Sequence, residues 1–134
     1  MADLSRRILI IDPDETFSER ITALLSAGDI FTEWCGGITS AVAIMRDAFF
    51  KCVIMDVELP EMKGYEAVKI IKSLSPATSV IITAEKNSRD QESLVRAEDI
   101  VYYHLKSFDP QELRTVVKEL FQKPDLKSSY RHGK

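Results

Sequence analysis

Short apolar runs rich in branched side chains recur along the chain: Ile8-Leu9-Ile10-Ile11, Ile30-Phe31, Cys52-Val53-Ile54-Met55, Val80-Ile81-Ile82 and Ile100-Val101-Tyr102-Tyr103. Runs of this kind, bounded by polar segments, predict buried strands. The second run differs. Phe31, Glu33 and Cys35 alternate with Thr32 and Trp34, and a charge falls among them. That pattern predicts an edge strand.

Between the runs the period changes to that of a helix. Phe17, Ile21, Leu24 and Leu25 share one face; so do Ile38, Ala41, Val42 and Met45; Ala67, Ile71 and Leu74 repeat the pattern. Leu113, Val116, Val117, Leu120 and Phe121 form the clearest stripe. Spacings of three and four residues define an apolar face at the helical period. Thr39 and Ser40 read as helix-opening residues, and Asp109-Pro110 as an N-cap followed by proline at the first helical position. Residues 87–98 hold few apolar positions, only Leu94, Val95 and Ala97 after a polar stretch, and predict a short, poorly anchored helix. After Phe121 the chain turns polar. Residues 1–123 are expected to form one domain and residues 124–134 a disordered tail.

Strands alternating with helices imply an α/β fold, a parallel sheet covered on both faces. In such sheets the site lies beyond the C-terminal ends of the strands, where strand order reverses. The first run ends in Asp12, the third in Asp56 and the fourth in Thr83, and the fifth is followed by Lys106. Two carboxylates offer oxygen ligands to a hard divalent cation such as Mg²⁺. A lysine supplies a point charge for a phosphate oxygen. With a threonine hydroxyl, the set has what phosphoryl transfer to a carboxylate needs: a nucleophile, charge neutralisation and aimed donors. Taken singly, each residue has a plainer explanation: a loop aspartate, a surface lysine, a strand-end threonine. The combination, each member at the end of its own strand, carries the argument.

Composition narrows the alternatives. The chain has 134 residues, 45% hydrophobic and 29% charged, enough for one domain with a real core. A net charge of −3 argues against nucleic acid as a direct partner. Cys35 and Cys52 match no zinc or redox spacing and read as buried thiols in a reducing cytosol. The N-terminal residues do not read as a signal peptide and no stretch approaches the length of a membrane span, so a cytoplasmic location without membrane contact is expected. A phosphate-binding glycine loop after the first strand is missing, which counts against a small flavodoxin-like cofactor binder.

The segment Asp56-Val57-Glu58-Leu59-Pro60-Glu61-Met62-Lys63-Gly64 resembles the phosphoacceptor strand, proline turn and glycine of the receiver domains of bacterial two-component response regulators, the CheY-like family. Val80-Ile81-Ile82-Thr83-Ala84 is similar to the family's Thr/Ser-Ala element, and Tyr103-His104-Leu105-Lys106 to its aromatic residue three positions before a lysine. The resemblance covers roughly residues 6–122. It implies a doubly wound five-stranded parallel sheet in the flavodoxin-like order 2-1-3-4-5. It further implies Asp56 as phosphoacceptor, Thr83 and Lys106 as phosphate contacts, Asp12 in a Mg²⁺ site and Tyr103 as a rotameric switch. The implied donor is a sensor histidine kinase or phosphotransfer protein, and the implied output a downstream effector protein; a symmetric homodimer is left open.

Three positions depart from the family's pattern. Two adjacent acids usually follow the first strand, whereas here Pro13 stands in the second place, in Asp12-Pro13-Asp14. Ser107 follows the lysine where proline is usual, and Lys63 precedes Gly64 where an acid or amide is common. The first departure predicts weak Mg²⁺ binding, with Asp14 in the first helical turn pointing away and Glu58 long enough to reach the ion beside Asp12 and Asp56. The second bears on the placing of Lys106. Glu58 and Glu85, two residues after Asp56 and Thr83, occupy the positions that tune dephosphorylation in the family, or are solvated rim acids. Two functions follow: a phosphorylatable switch, or a degenerate receiver that binds partners without phosphorylation. The expected output surface is the weak helix around Leu94, the strand ending at Tyr103 and the helix from Pro110 to Phe121.

Overall fold

The computed structural model of the chain describes residues 6–122. The tail expected at 124–134, and the domain limit at 123, lie outside the described residues. Elements alternate in the order β1 (Arg7–Ile11), α1 (Glu15–Ser26), β2 (Phe31–Cys35), α2 (Ile38–Asp47), β3 (Cys52–Asp56), α3 (Gly64–Leu74), β4 (Ser79–Ala84), α4 (Arg89–Arg96), β5 (Tyr102–Leu105) and α5 (Gln111–Gln122). The strands form one parallel sheet in the order β2-β1-β3-β4-β5.

Side chains of the central strands point alternately to opposite faces, and both faces are covered. Leu9, Ile11, Val53, Met55, Val80 and Ile82 pack with α2, α3 and Val95 of α4. Ile8, Ile10, Cys52, Ile54 and Ile81 pack with Phe17, Ile21 and Leu25 of α1 and Leu113, Val117 and Leu120 of α5. This double burial explains why the central runs are apolar without alternation. β2 lies at the edge, as its alternating pattern predicts, and keeps Phe31, Glu33 and Trp34 exposed. Of α4, only Val95 is buried and Leu94 faces solvent, so this helix is thinly anchored, as expected.

Three local expectations change. The fifth strand runs over 102–105, two residues later than the apolar run. Ile100 instead packs on the core from the α4–β5 loop, and Val101 donates its N–H to Val80 as the ladder begins. Thr39 and Ser40 lie inside the first turn of α2, whose N-cap is Gly37. The N–H groups there are satisfied from a distance: Glu61 of the β3–α3 loop accepts from Ile38 N at 3.1 Å and Thr39 N at 3.4 Å. A β-carbon on Gly37 would lie 2.5 Å from that carboxylate, so glycine leaves it room. Asp14 is the N-cap of α1, one position before its first turn, and accepts from Phe17 N at 3.2 Å. At α5 the expected opening is met in part: Asp109 accepts from Gln111 N at 3.0 Å, but Pro110 stands just before the helix rather than at its first position.

His104 is 1% exposed, and neither ring nitrogen has a hydrogen-bond partner among the described residues. Glu112 Oε1, 3.7 Å from Nδ1, accepts instead from the Tyr102 hydroxyl at 2.8 Å. Burial lowers the His104 pKa below its ordinary 6.5, outweighing the opposing pull of Glu112 and Asp109.

Two outcomes follow. The unfolded chain takes up the histidine proton before the folded one, so stability is full above about pH 6.5 and falls as pH drops below it. Urea unfolding across this range should show that acid limb flattened in His104→Phe. Packing makes the second outcome: a β-carbon on Gly64 would lie 2.8 Å from the Val57 Cα and carbonyl oxygen, whereas one on Gly36 meets nothing within 4 Å. Gly64→Ala should cost about 1–3 kcal/mol in urea unfolding, the range for overpacking, and Gly36→Ala close to nothing.

Candidate functional site

The C-terminal ends of β1, β3, β4 and β5 meet at one rim of the sheet. Asp12 directly follows β1, Asp56 closes β3, Thr83 is the next-to-last residue of β4, and Lys106 directly follows β5. Register brings Asp56 opposite Thr83, and Lys106 N donates to the Ala84 carbonyl at 2.8 Å, carrying the strand pairing one residue past β5. Asp12, Asp56 and Thr83 are all buried.

The Lys106 ammonium joins the two acids. Its Nζ lies 3.1 Å from Asp56 Oδ2, as a hydrogen bond, and 2.9 Å from Asp12 Oδ2, in charge contact without hydrogen-bond alignment. It also sits 4.5 Å from the centre of the Phe17 ring, whose face favours a cation. Thus Ser107 does not keep Lys106 from the crevice. The remaining carboxylate oxygens take backbone donors: Asp14 N to Asp12 Oδ1 at 2.8 Å, and Glu58 N to Asp56 Oδ1 at 3.1 Å. Thr83 Oγ1 is buried without a hydrogen-bond partner among the described residues. A buried hydroxyl in that state is a donor waiting for an acceptor.

Burial raises the Asp12 pKa, overcoming the Asp14 N–H and Lys106, which oppose it. For Lys106 burial favours the neutral amine, but the two aspartates outweigh it and the net shift is upward. The crevice therefore holds its lysine charged.

The other expected site residues are placed differently. Glu58 is exposed and its carboxylate pairs with Lys63 at 3.4 Å, so Lys63 draws it outward. Among the described residues no three His, Cys, Asp or Glu side chains gather as a metal site, so Glu58 does not complete a trio with Asp12 and Asp56. Glu85 is exposed at the rim. Tyr103 is turned into the core, its hydroxyl without a hydrogen-bond partner among the described residues, and the Arg96 guanidinium lies 5.5 Å over its ring.

Two residues that sequence reasoning missed support the crevice. Glu61 ties the loop after Asp56 to α2, as described. Trp34 of β2 donates its indole N–H to the Asp12 carbonyl at 2.8 Å. The alternation along β2 separates Trp34 from the Phe31 face, but no local signal reports a contact spanning 22 residues.

Among the described residues no helix is long and apolar enough to cross a membrane. The sequence model of the response regulator receiver domain matches residues 8–118. The DNA-binding response regulator MtrA of Mycobacterium tuberculosis is 28% identical over 127 residues, covering 93% of this chain and 54% of that protein. The regulatory protein AtoC of Escherichia coli is 28% identical over 127 residues, covering 94% of this chain and 27% of that protein. The chain thus spans about half, or less, of the length of these curated relatives. Among solved structures, the signal receiver domain of an HD domain-containing protein from Pseudomonas fluorescens superposes with a TM-score of 0.84 at 23% identity, over 98% of this chain and 95% of that one. A CheY-like receiver domain protein from Methanospirillum hungatei gives a TM-score of 0.80 at 24% identity, over 88% and 95%. With the family model matched over most of its length, this chain belongs to the response regulator receiver domain family.

Proposed function

We propose that this domain is a phosphorylatable switch whose acceptor is Asp56. The observation that carries the reading is Lys106, which reaches across 50 residues of sequence to bridge Asp56 and Asp12 in a buried crevice. A phosphohistidine on a sensor kinase or phosphotransfer protein is the donor. An Asp56 carboxylate oxygen attacks the phosphorus; the phosphorus–nitrogen bond breaks and its electron pair stays on the imidazole, leaving an acyl phosphate on Asp56. Lys106, held charged, then faces a phosphoryl oxygen as well as Asp12. The unpartnered Thr83 hydroxyl is the second donor to that group.

Asp12 and Asp56 fit a magnesium ion that keeps several of its waters, since both are oxygen donors at one crevice. When bound, the ion neutralises charge on the transferring phosphoryl oxygens. Pro13 supplies no side-chain ligand and Glu58 is engaged by Lys63, so the ion has two carboxylates to bind and holds weakly. Asp14, spent as a helix cap, does not replace the missing acid.

The added charge at Asp56 biases Tyr103 and the face of α4, β5 and α5, where Val95 is the only buried residue of α4. The effector, or a second copy of the chain, docks there. A second reading, a receiver that binds partners without phosphorylation, draws on Pro13 and on a lysine that already neutralises both carboxylates.

Intact-mass measurement after incubation with acetyl phosphate and Mg²⁺ decides between them. The wild type should gain one phosphoryl group and Asp56→Asn none; equal labelling of both removes the assignment, and an unlabelled wild type favours the second reading. Calorimetric titration with Mg²⁺ should show Pro13→Asp binding tighter by about 1–2 kcal/mol, the order of one added charged contact. Equal affinities would mean that water or Glu58 already fills that place, and Glu58→Gln would tell which.

A further inference from the structure

The Asp12 backbone is held by β2 at two points. Its N–H donates to the Cys35 carbonyl at 3.0 Å, the ordinary continuation of the β1–β2 ladder. Its carbonyl accepts from the Trp34 indole at 2.8 Å, a contact no ladder supplies. That carbonyl belongs to the peptide joining Asp12 to Pro13, so the indole fixes the orientation of the one turn where the family's second acid is missing. Beyond the turn, Asp14 N closes back on Asp12 Oδ1 and the Asp14 side chain caps α1. The carboxylate of Asp12 is thereby aimed at Lys106 from a backbone clamped on both sides.

Trp34 is 39% exposed on an edge strand. It borders an open cavity of about 360 Å³ with Glu15, Ser18, Glu19, Thr22 and Ala23 of α1. A large ring left over a cavity on one side and hydrogen-bonded at its edge to the site backbone is better placed to orient than to fill.

We propose that Trp34 is a positioning residue for the crevice: its indole N–H holds the Asp12–Pro13 peptide so that the Asp12 carboxylate is presented to Mg²⁺. This rests on the proposed reading of Asp12 as a metal ligand, but not on phosphorylation of Asp56. It also gives the chain a built-in reporter, because Trp34 is the only tryptophan. Binding at Asp12 alters the acceptor of the one indole proton in the protein.

The test uses the full chain labelled with nitrogen-15 and titrated with magnesium chloride. The single indole N–H resonance should shift along a saturable curve, and the same titration of Asp12→Asn should leave it in place. Trp34→Phe keeps an aromatic ring and removes the donor. Its Mg²⁺ affinity, measured by calorimetry well below its melting temperature, should fall about fivefold, the worth of one hydrogen bond. A role confined to packing would lower the melting temperature and leave Mg²⁺ affinity unchanged, and that result overturns the proposal. So does an indole resonance that ignores Mg²⁺ or that still shifts in Asp12→Asn. If Trp34→Phe does not fold, the wild-type and Asp12→Asn titrations decide alone. Acetyl phosphate labelling of the wild type runs alongside: an unlabelled Asp56 with a responsive indole removes the phosphorylation reading and leaves this one standing.

Discussion

A lysine ammonium between two buried carboxylates is the constraint around which the rest of the crevice is arranged. Alone, either acid would be expensive to keep charged at this depth, and the amine would be expensive too. Together they are tolerable, and the net upward shift of Lys106 shows that the pairing outweighs burial for the cation. Asp12 Oδ1 and Asp56 Oδ1 are met by the backbone N–H groups of Asp14 and Glu58, so each carboxylate has one oxygen held by the backbone and one facing the ammonium. The Thr83 hydroxyl beside them has no hydrogen-bond partner among the described residues. The charges of the crevice thus offset one another, and the Thr83 hydroxyl is left as a free donor beside them among the described residues.

That arrangement requires the sheet to be rigid at its rim. β1, β3 and β4 are buried on both faces, and their ends cannot shift without disturbing two cores at once. Asp12, Asp56 and Thr83 therefore stand on or next to the ends of strands fixed from above and below, while Lys106 follows the edge strand β5. By contrast the α4 flank is lightly anchored: Val95 is the only buried residue of α4, and the buried Tyr103 hydroxyl has no hydrogen-bond partner among the described residues. A rigid rim beside a loosely held flank is the kind of division a two-state element can use.

Much of this was legible in the chain itself. The unalternating runs at residues 8, 52 and 80 announced doubly covered strands, and the alternation at 31–35 announced the edge. Asp12, Asp56 and Thr83 were legible because each ends an apolar run, and Lys106 because it follows one closely, which are local signals. The shift of β5 to 102–105 was not, since Ile100 and Val101 are apolar for a different reason: they seal the core from a loop. The pairing of Glu58 with Lys63 was not legible, because sequence distance does not show that the loop folds Lys63 back toward it. Trp34 and Glu61 were invisible for the same reason. Both act across more than twenty residues, through a single side chain and a backbone group.

Glu61 has a consequence for the order in which the molecule assembles. Most helices carry their own cap next door in sequence, so their first turn can form early as a local event. The first turn of α2 instead waits for a carboxylate that arrives only after β3 has paired and the following loop has turned. Until then two N–H groups at that end answer only to water. The first turn of α2 is thus completed late, and its integrity reports whether the loop after Asp56 has reached its final place.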